Sequence, residues 1–75
     1  MTPETTPIVT PSDLGALIRR RRKVLGMSQD ALAAITGIPQ PNLSKIERGQ
    51  VAATFDTTLR LLSSLGVELH ARVRT

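Results

Sequence analysis

Apolar residues recur at helical spacing through most of this chain, and the period changes to two near its C-terminus. Leu14, Leu17, Ile18 and Leu25 form the first stripe. Thr10 is placed to cap that helix, with Pro11 at the first helical position. Asp13 completes a capping box, and Val9 and Leu14 are spaced as a hydrophobic staple. Gly26 ends the helix. Ser28 then caps a second helix, with Met27 and Leu32 as its staple. Leu32 and Ile35 share one face of it, and Ala33 is small where a neighbour must come close. Gly37 stops it in a left-handed conformation, which carries no Cβ penalty in glycine. Ile38 plugs the corner. A third helix starts at Pro41, turns Leu43 and Ile46 inward and runs to about Arg48, before Gly49. Thr54 caps the next, which carries Phe55, Leu59, Leu62 and Leu65 inward and ends at Gly66. Beyond it Val67, Leu69, Ala71 and Val73 alternate with Glu68, His70, Arg72 and Arg74, the pattern of a half-buried strand. A lone strand needs a partner. The same strand of a second copy, antiparallel across a two-fold axis, is the simplest one, and Ile8-Val9 offers another. The competing expectation is a frayed terminus.

The pattern divides the chain into a flexible Pro- and Thr-rich tail at 1–9, a helical domain at 10–66 and a dimerisation strand at 67–75. Its 75 residues hold one domain at most and include no cysteine. No apolar run approaches the roughly 20 residues that span a bilayer, and Met1 to Pro11 lacks the marks of a signal peptide. Ten Lys and Arg stand against six Asp and Glu, which suits a polyanionic partner. Phe55 is the one aromatic residue, too little for the stacking platform of a single-strand binder. Arg19 to Lys23 is a basic run that points all around its helix. Arg20 and Lys23 read as solvated, while Arg21 packs its stem and sends its head to water. Enzyme chemistry is not indicated. His70 is the sole histidine and reads as a solvated strand residue, the acids are scattered, and Ser28 has no histidine to activate it. The residues suggest neither cofactor nor metal.

From Gln29 to Arg48 the spacing is that of a helix-turn-helix, in which the second helix is held out for a DNA major groove. Gln40, Asn42, Ser44 and Lys45 are then left outward. Gln40 and Asn42 can pair bidentately with adenine, and Lys45 with guanine. Ser28 and Gln29, at a helix start with unpaired N–H groups, are candidate phosphate contacts. Arg48 would help to set register on the backbone.

Those residues carry a resemblance. Gly26-Met27-Ser28-Gln29, Leu32-Ala33, Thr36-Gly37-Ile38 and Leu43-Ser44-Lys45-Ile46-Glu47-Arg48-Gly49 are similar to the Xre/Cro-type helix-turn-helix family over Leu14 to Leu65. More narrowly, Ile8-Val9-Thr10-Pro11 and the C-terminal strand resemble HipB-type antitoxins. The resemblance implies an all-α, compact lambda-repressor-like bundle of four to five helices, with the C-terminal strand pairing across a homodimer. It implies a structural ion pair between Arg22 and Glu47, a phosphate contact at Gln29, and groove-facing Gln40, Asn42, Ser44 and Lys45. Pro41 departs from the polar residue frequent in the family and offers only apolar contact, as to a thymine methyl. The implied function is a cytoplasmic, nucleoid-associated repressor that binds double-stranded operator DNA with inverted repeats. As an antitoxin it would control its own operon and bind a HipA-like kinase toxin. A stand-alone phage or metabolic repressor, and an interaction module that no longer binds DNA, are the alternatives.

Overall fold

The computed structural model describes residues 5–75, so the first four residues of the tail lie outside it. Four helices follow one another: α1 Pro11–Val24, α2 Gln29–Thr36, α3 Gln40–Glu47 and α4 Phe55–Ser64. Each start has a physical cause. At α1 the Thr10 hydroxyl accepts from the Asp13 N–H at 3.2 Å. The Asp13 carboxylate accepts from the N–H groups of Val9 at 2.9 Å and Thr10 at 3.0 Å. Those two backbone donors hold the Asp13 carboxyl below its ordinary 3.8. Val9 itself remains 82% exposed, so the staple expected with Leu14 does not close. The Ser28 hydroxyl accepts from the Ala31 N–H at 3.0 Å, and that of Thr54 from the Thr57 N–H at 3.1 Å. α3 has no side-chain cap. It begins at Gln40 rather than Pro41, which puts proline in the second helical position, where no intrahelical donor is lost.

α2 ends at Gly37, whose φ of 75° turns the chain toward α3. α1 packs on α3, and α2 packs on both α3 and α4. The core is Ile18, Leu32, Ile38, Leu43, Ile46, Leu61, Leu62 and Leu65, flanked by Leu14, Leu17, Met27, Ala33, Ala53 and Val67. Gly15 lets α1 approach the end of α3. A Cβ there would run into the Ile46 carbonyl oxygen and stand 2.6 Å from that of Glu47.

Some of the expected inward residues face out. Phe55 and Leu59 are 67% and 42% exposed. α4 instead buries Thr58, Leu61 and Leu62 and ends on buried Leu65, a set spaced i, i+3, i+4, i+7 that fits one helix face. Ile35 also lies outside. Thr36, four residues after Leu32, takes the inward place. Its hydroxyl donates to the Leu32 carbonyl at 2.8 Å and accepts from the Ile38 N–H at 3.3 Å, so the buried polar group is satisfied. Leu25, the last residue of the first stripe, is exposed as well. Arg21 departs from expectation in the other direction. The half-buried side chain donates through Nε to the Leu65 carbonyl at 2.8 Å, tying α1 to the end of α4.

No strand forms among the described residues. Residues 67–75 run on without regular structure, and Leu69 and Val73 are exposed. The reason is the one that made a lone strand costly: ladder donors and acceptors need a second strand, and neither Ile8 nor Val9 supplies it within this chain.

Candidate nucleic-acid interface

α3 is amphipathic over two turns. Leu43, Ile46 and Glu47 are buried, and Pro41, Asn42 and Lys45 are exposed, as is Arg48 at its cap. Gln40 and Ser44 are half-buried at the margin. The face left open is therefore polar and carries one lysine along its length. A shallow groove runs beside it, walled by Asn42 and Lys45 on one side and by Thr54, Thr57 and Arg60 on the other. Arg60 is itself anchored, with Nη2 3.0 Å from Asp56 and Nη1 3.4 Å from the Thr36 carbonyl.

Beneath α3 lies an ion pair. Arg22 donates from Nε to Glu47 Oε2 at 2.8 Å and from Nη2 to Oε1 at 2.9 Å, a bidentate fork. Its remaining Nη1 donates to the Met27 carbonyl at 2.9 Å. Hydrogen bonding to the Glu47 carboxylate raises the guanidinium pKa further. Both side chains are almost wholly buried. Such a pair contributes little net stability over apolar residues, yet removing one partner is costly. Its effect is positional: it ties the last turn of α1, the loop before α2 and the end of α3 together.

The ion pair continues toward the surface. Gln29 Nε2 donates to Glu47 Oε1 at 3.1 Å, and Gln29 Oε1 accepts from Gln40 Nε2 at 2.7 Å. The structure thus brings Arg22 and Glu47 together, as the resemblance implied, and it holds the Gln29 side chain between Glu47 and Gln40. Ser28 caps α2 beside it and stays exposed. Arg48 lies at the far end of α3 and folds back on the Ser44 carbonyl at 3.3 Å.

The link from Gln29 to Gln40 escaped sequence reasoning, because it joins two helices eleven residues apart. Arg60 and Arg21 escaped it for a similar reason, since each acts on a carbonyl of another element. Gly15 had a detectable signal: a glycine between Leu14 and Ala16 in the interior of a helical pattern asks for a packing reason.

The fold and this face define a DNA-binding transcription regulator of the helix-turn-helix class. The chain belongs to the helix-turn-helix family whose model matches residues 18–71. The HTH-type transcriptional regulator y4mF of Sinorhizobium fredii is 36% identical over 62 residues, which cover 83% of this chain and 82% of that protein. An HTH-type regulator of Haemophilus influenzae is 42% identical over 48 residues, 64% of this chain and about half (49%) of its own length. Among solved structures, the restriction-modification controller protein C.AhdI of Aeromonas hydrophila superposes with a TM-score of 0.73 at 29% identity, over 77% of this chain and 88% of its own. HipB in a HipB-O4 20mer complex gives 0.81 at 25% identity, over 95% of this chain and all of that one. A chain of the HipA-HipB-O2-O3 complex gives the same values. The four-helix architecture is that of the HipB-like bundle.

Proposed function

We propose that this regulator is a sequence-specific repressor that binds an inverted repeat as a homodimer and acts as the antitoxin of a HipBA-like operon. The observation that carries the DNA-reading part is the outward face of α3, where Gln40, Pro41, Asn42, Ser44 and Lys45 stand over a buried Leu43–Ile46–Glu47 face. Direct readout of the major groove needs a helix with this division. Asn42 and Gln40 pair with adenine, Lys45 with guanine, and Pro41 touches a thymine methyl. Ser28, the backbone N–H of Gln29 and Arg48 contact phosphates and fix register. Two α3 helices would enter successive major grooves, about 34 Å apart.

The homodimer reading is supported by the apolar surface this chain leaves uncovered. Leu69 and Val73 on the 67–75 segment, with Val67 and Ala71, alternate as a strand that a second copy would pair. Phe55 and Leu59 present a further exposed apolar edge on α4. The antitoxin reading rests on likeness to HipB, a protein solved in complex with HipA. Autoregulation and a HipA-like kinase partner follow from that likeness.

The test is footprinting on the DNA upstream of the protein's own coding sequence across a salt series. A protected inverted repeat, with affinity falling steeply as salt rises, is the expected result. Lys45→Ala should cost about 1–3 kcal/mol and relax choice at one base position. An unchanged footprint with that variant removes the groove-facing assignment. Co-purification of a kinase-like protein tests the antitoxin part independently.

A further inference from the structure

We propose that the segment at 67–75 selects its partner by charge: Glu68 of one copy pairs with Arg72 of a second, in an antiparallel register that puts His70 of both copies on the two-fold axis. The proposal rests on the homodimer reading above and adds which residues meet. The segment is fastened at one end only. The Val67 N–H donates to the Leu62 carbonyl at 2.9 Å, and the Val67 side chain packs on the core. Among the described residues, no backbone hydrogen bond ties residues 68–75 to the rest of the chain. Glu68 and His70 share one face, with Glu68 Oε2 2.9 Å from His70 Nε2. Side chains two residues apart meet in this way on extended backbone. Leu69 and Val73 are exposed at the alternate positions. An apolar edge with free ladder groups fits a second strand of the same pattern.

The order of residues narrows the register. A two-fold axis normal to the ladder makes the strands antiparallel and keeps both apolar faces on one side. If the axis passed between two residues, apolar positions would oppose polar ones, so it passes through a residue. Centred on Arg72, the two Arg72 side chains oppose each other, which their like charge disfavours. Centred on Leu69, Val73 falls opposite Leu65, which is buried in its own core. Centred on Ala71, Glu68 faces Arg74, but His70 faces Arg72 and Val67 faces Thr75. Centred on His70, Glu68 faces Arg72, Val67 faces Val73 and Leu69 faces Ala71, each pair occurring twice by symmetry. Every apolar residue from 67 to 73 then meets another, and the acid meets a base. Residues directly opposite have Cβ atoms about 4.5–5.5 Å apart, within reach of an ion pair. A strand with a base at 68 or an acid at 72 would bring like charges together instead. The polar face therefore accepts a second copy of this chain and refuses a regulator of the same fold with those charges changed.

The experiment uses the full chain, which contains no cysteine, and places single cysteines at 69, 70, 71 and 72. A residue on the axis meets its own copy within the Cα separation of a disulfide, about 4.4–6.8 Å. One place off the axis, the two copies stand two residues apart along the ladder, beyond the roughly 7 Å limit. His70→Cys should therefore be the variant that cross-links under mild oxidation. Charge reversal gives an independent reading. Glu68→Arg alone and Arg72→Glu alone should each raise the dimer dissociation constant by about tenfold in sedimentation. Mixed in equal amounts, the two variants should form mainly the heterodimer, in which both opposed pairs carry unlike charges again. Far-UV circular dichroism like that of wild type shows that each variant is folded. Faster cross-linking at 69, 71 or 72 overturns the proposal, as does a heterodimer no more abundant than the statistical half. A wild-type dimer in which none of the four cysteines cross-links overturns it too, while leaving the homodimer reading intact. If the wild type is monomeric at every concentration, the homodimer reading fails and takes the register with it.

Discussion

Gly15→Ala sets two forces against each other. Gly15 is interior to α1, where alanine is preferred over glycine by about 0.8–1.0 kcal/mol. Propensity alone therefore predicts stabilisation. Packing predicts the reverse. The new Cβ would collide with the Ile46 carbonyl oxygen and sit 2.6 Å from the Glu47 carbonyl oxygen and 2.9 Å from its carbon. These are backbone atoms, so no side chain can swing aside; α1 and the end of α3 must separate. Overpacking of this kind costs about 1–3 kcal/mol or more. Subtracting the propensity gain leaves a net loss of up to about 2 kcal/mol, or a fall in Tm of up to roughly 15 °C for a domain this small. Urea unfolding followed by circular dichroism measures it. Ala16→Gly on the same helix, at an exposed position, is the control and should cost about 1 kcal/mol by propensity. The movement also displaces Glu47, so DNA affinity should fall more in Gly15→Ala than in the control. A Gly15→Ala protein that melts higher than wild type would refute the close approach of α1 and α3.

Other outcomes follow from single contacts. Arg22→Met strands the buried Glu47 carboxylate and should cost about 3–5 kcal/mol, whereas Arg22→Met with Glu47→Leu should recover much of the loss in chemical denaturation. Arg21→Ala removes the bond to the Leu65 carbonyl; it should destabilise by about 1–2 kcal/mol in urea while base preference in a binding assay stays as in wild type. Asp13 titrates below its ordinary 3.8 because the Val9 and Thr10 N–H groups favour its charged form. Its stabilising effect is therefore present above that value and is lost as pH falls through the depressed folded-state pKa. The urea midpoints of wild type and Asp13→Asn should differ at pH 6 and converge in acid. Thr10→Ala, which removes the other half of the box, should cost about 1 kcal/mol at neutral pH.

Helix order and helix starts were legible in the chain because their causes are local. Thr10, Ser28 and Thr54 cap the helix that begins right after them, and Gly37 turns the corner it stands on. Ile18, Leu32, Leu43 and Ile46 lie in the core because helical period alone puts them on one face. Period also pointed wrongly where two faces competed. Phe55 and Leu59 fit an apolar stripe, yet α4 buries the Thr58–Leu61–Leu62 side, because α2 packs there. Helix periodicity names a face, and only a neighbour decides which face is covered. The same holds for the C-terminal alternation, which has the period of a strand but forms none among the described residues. What tertiary structure alone decided is the set of contacts between elements distant in sequence. These are the fit of Gly15 under the end of α3, the hold of Arg21 on Leu65, and the chain from Arg22 through Glu47 and Gln29 to Gln40. A hydrogen bond between side chains 11 or 25 residues apart depends on how helices cross, and crossing is a property of packing, which no local pattern encodes.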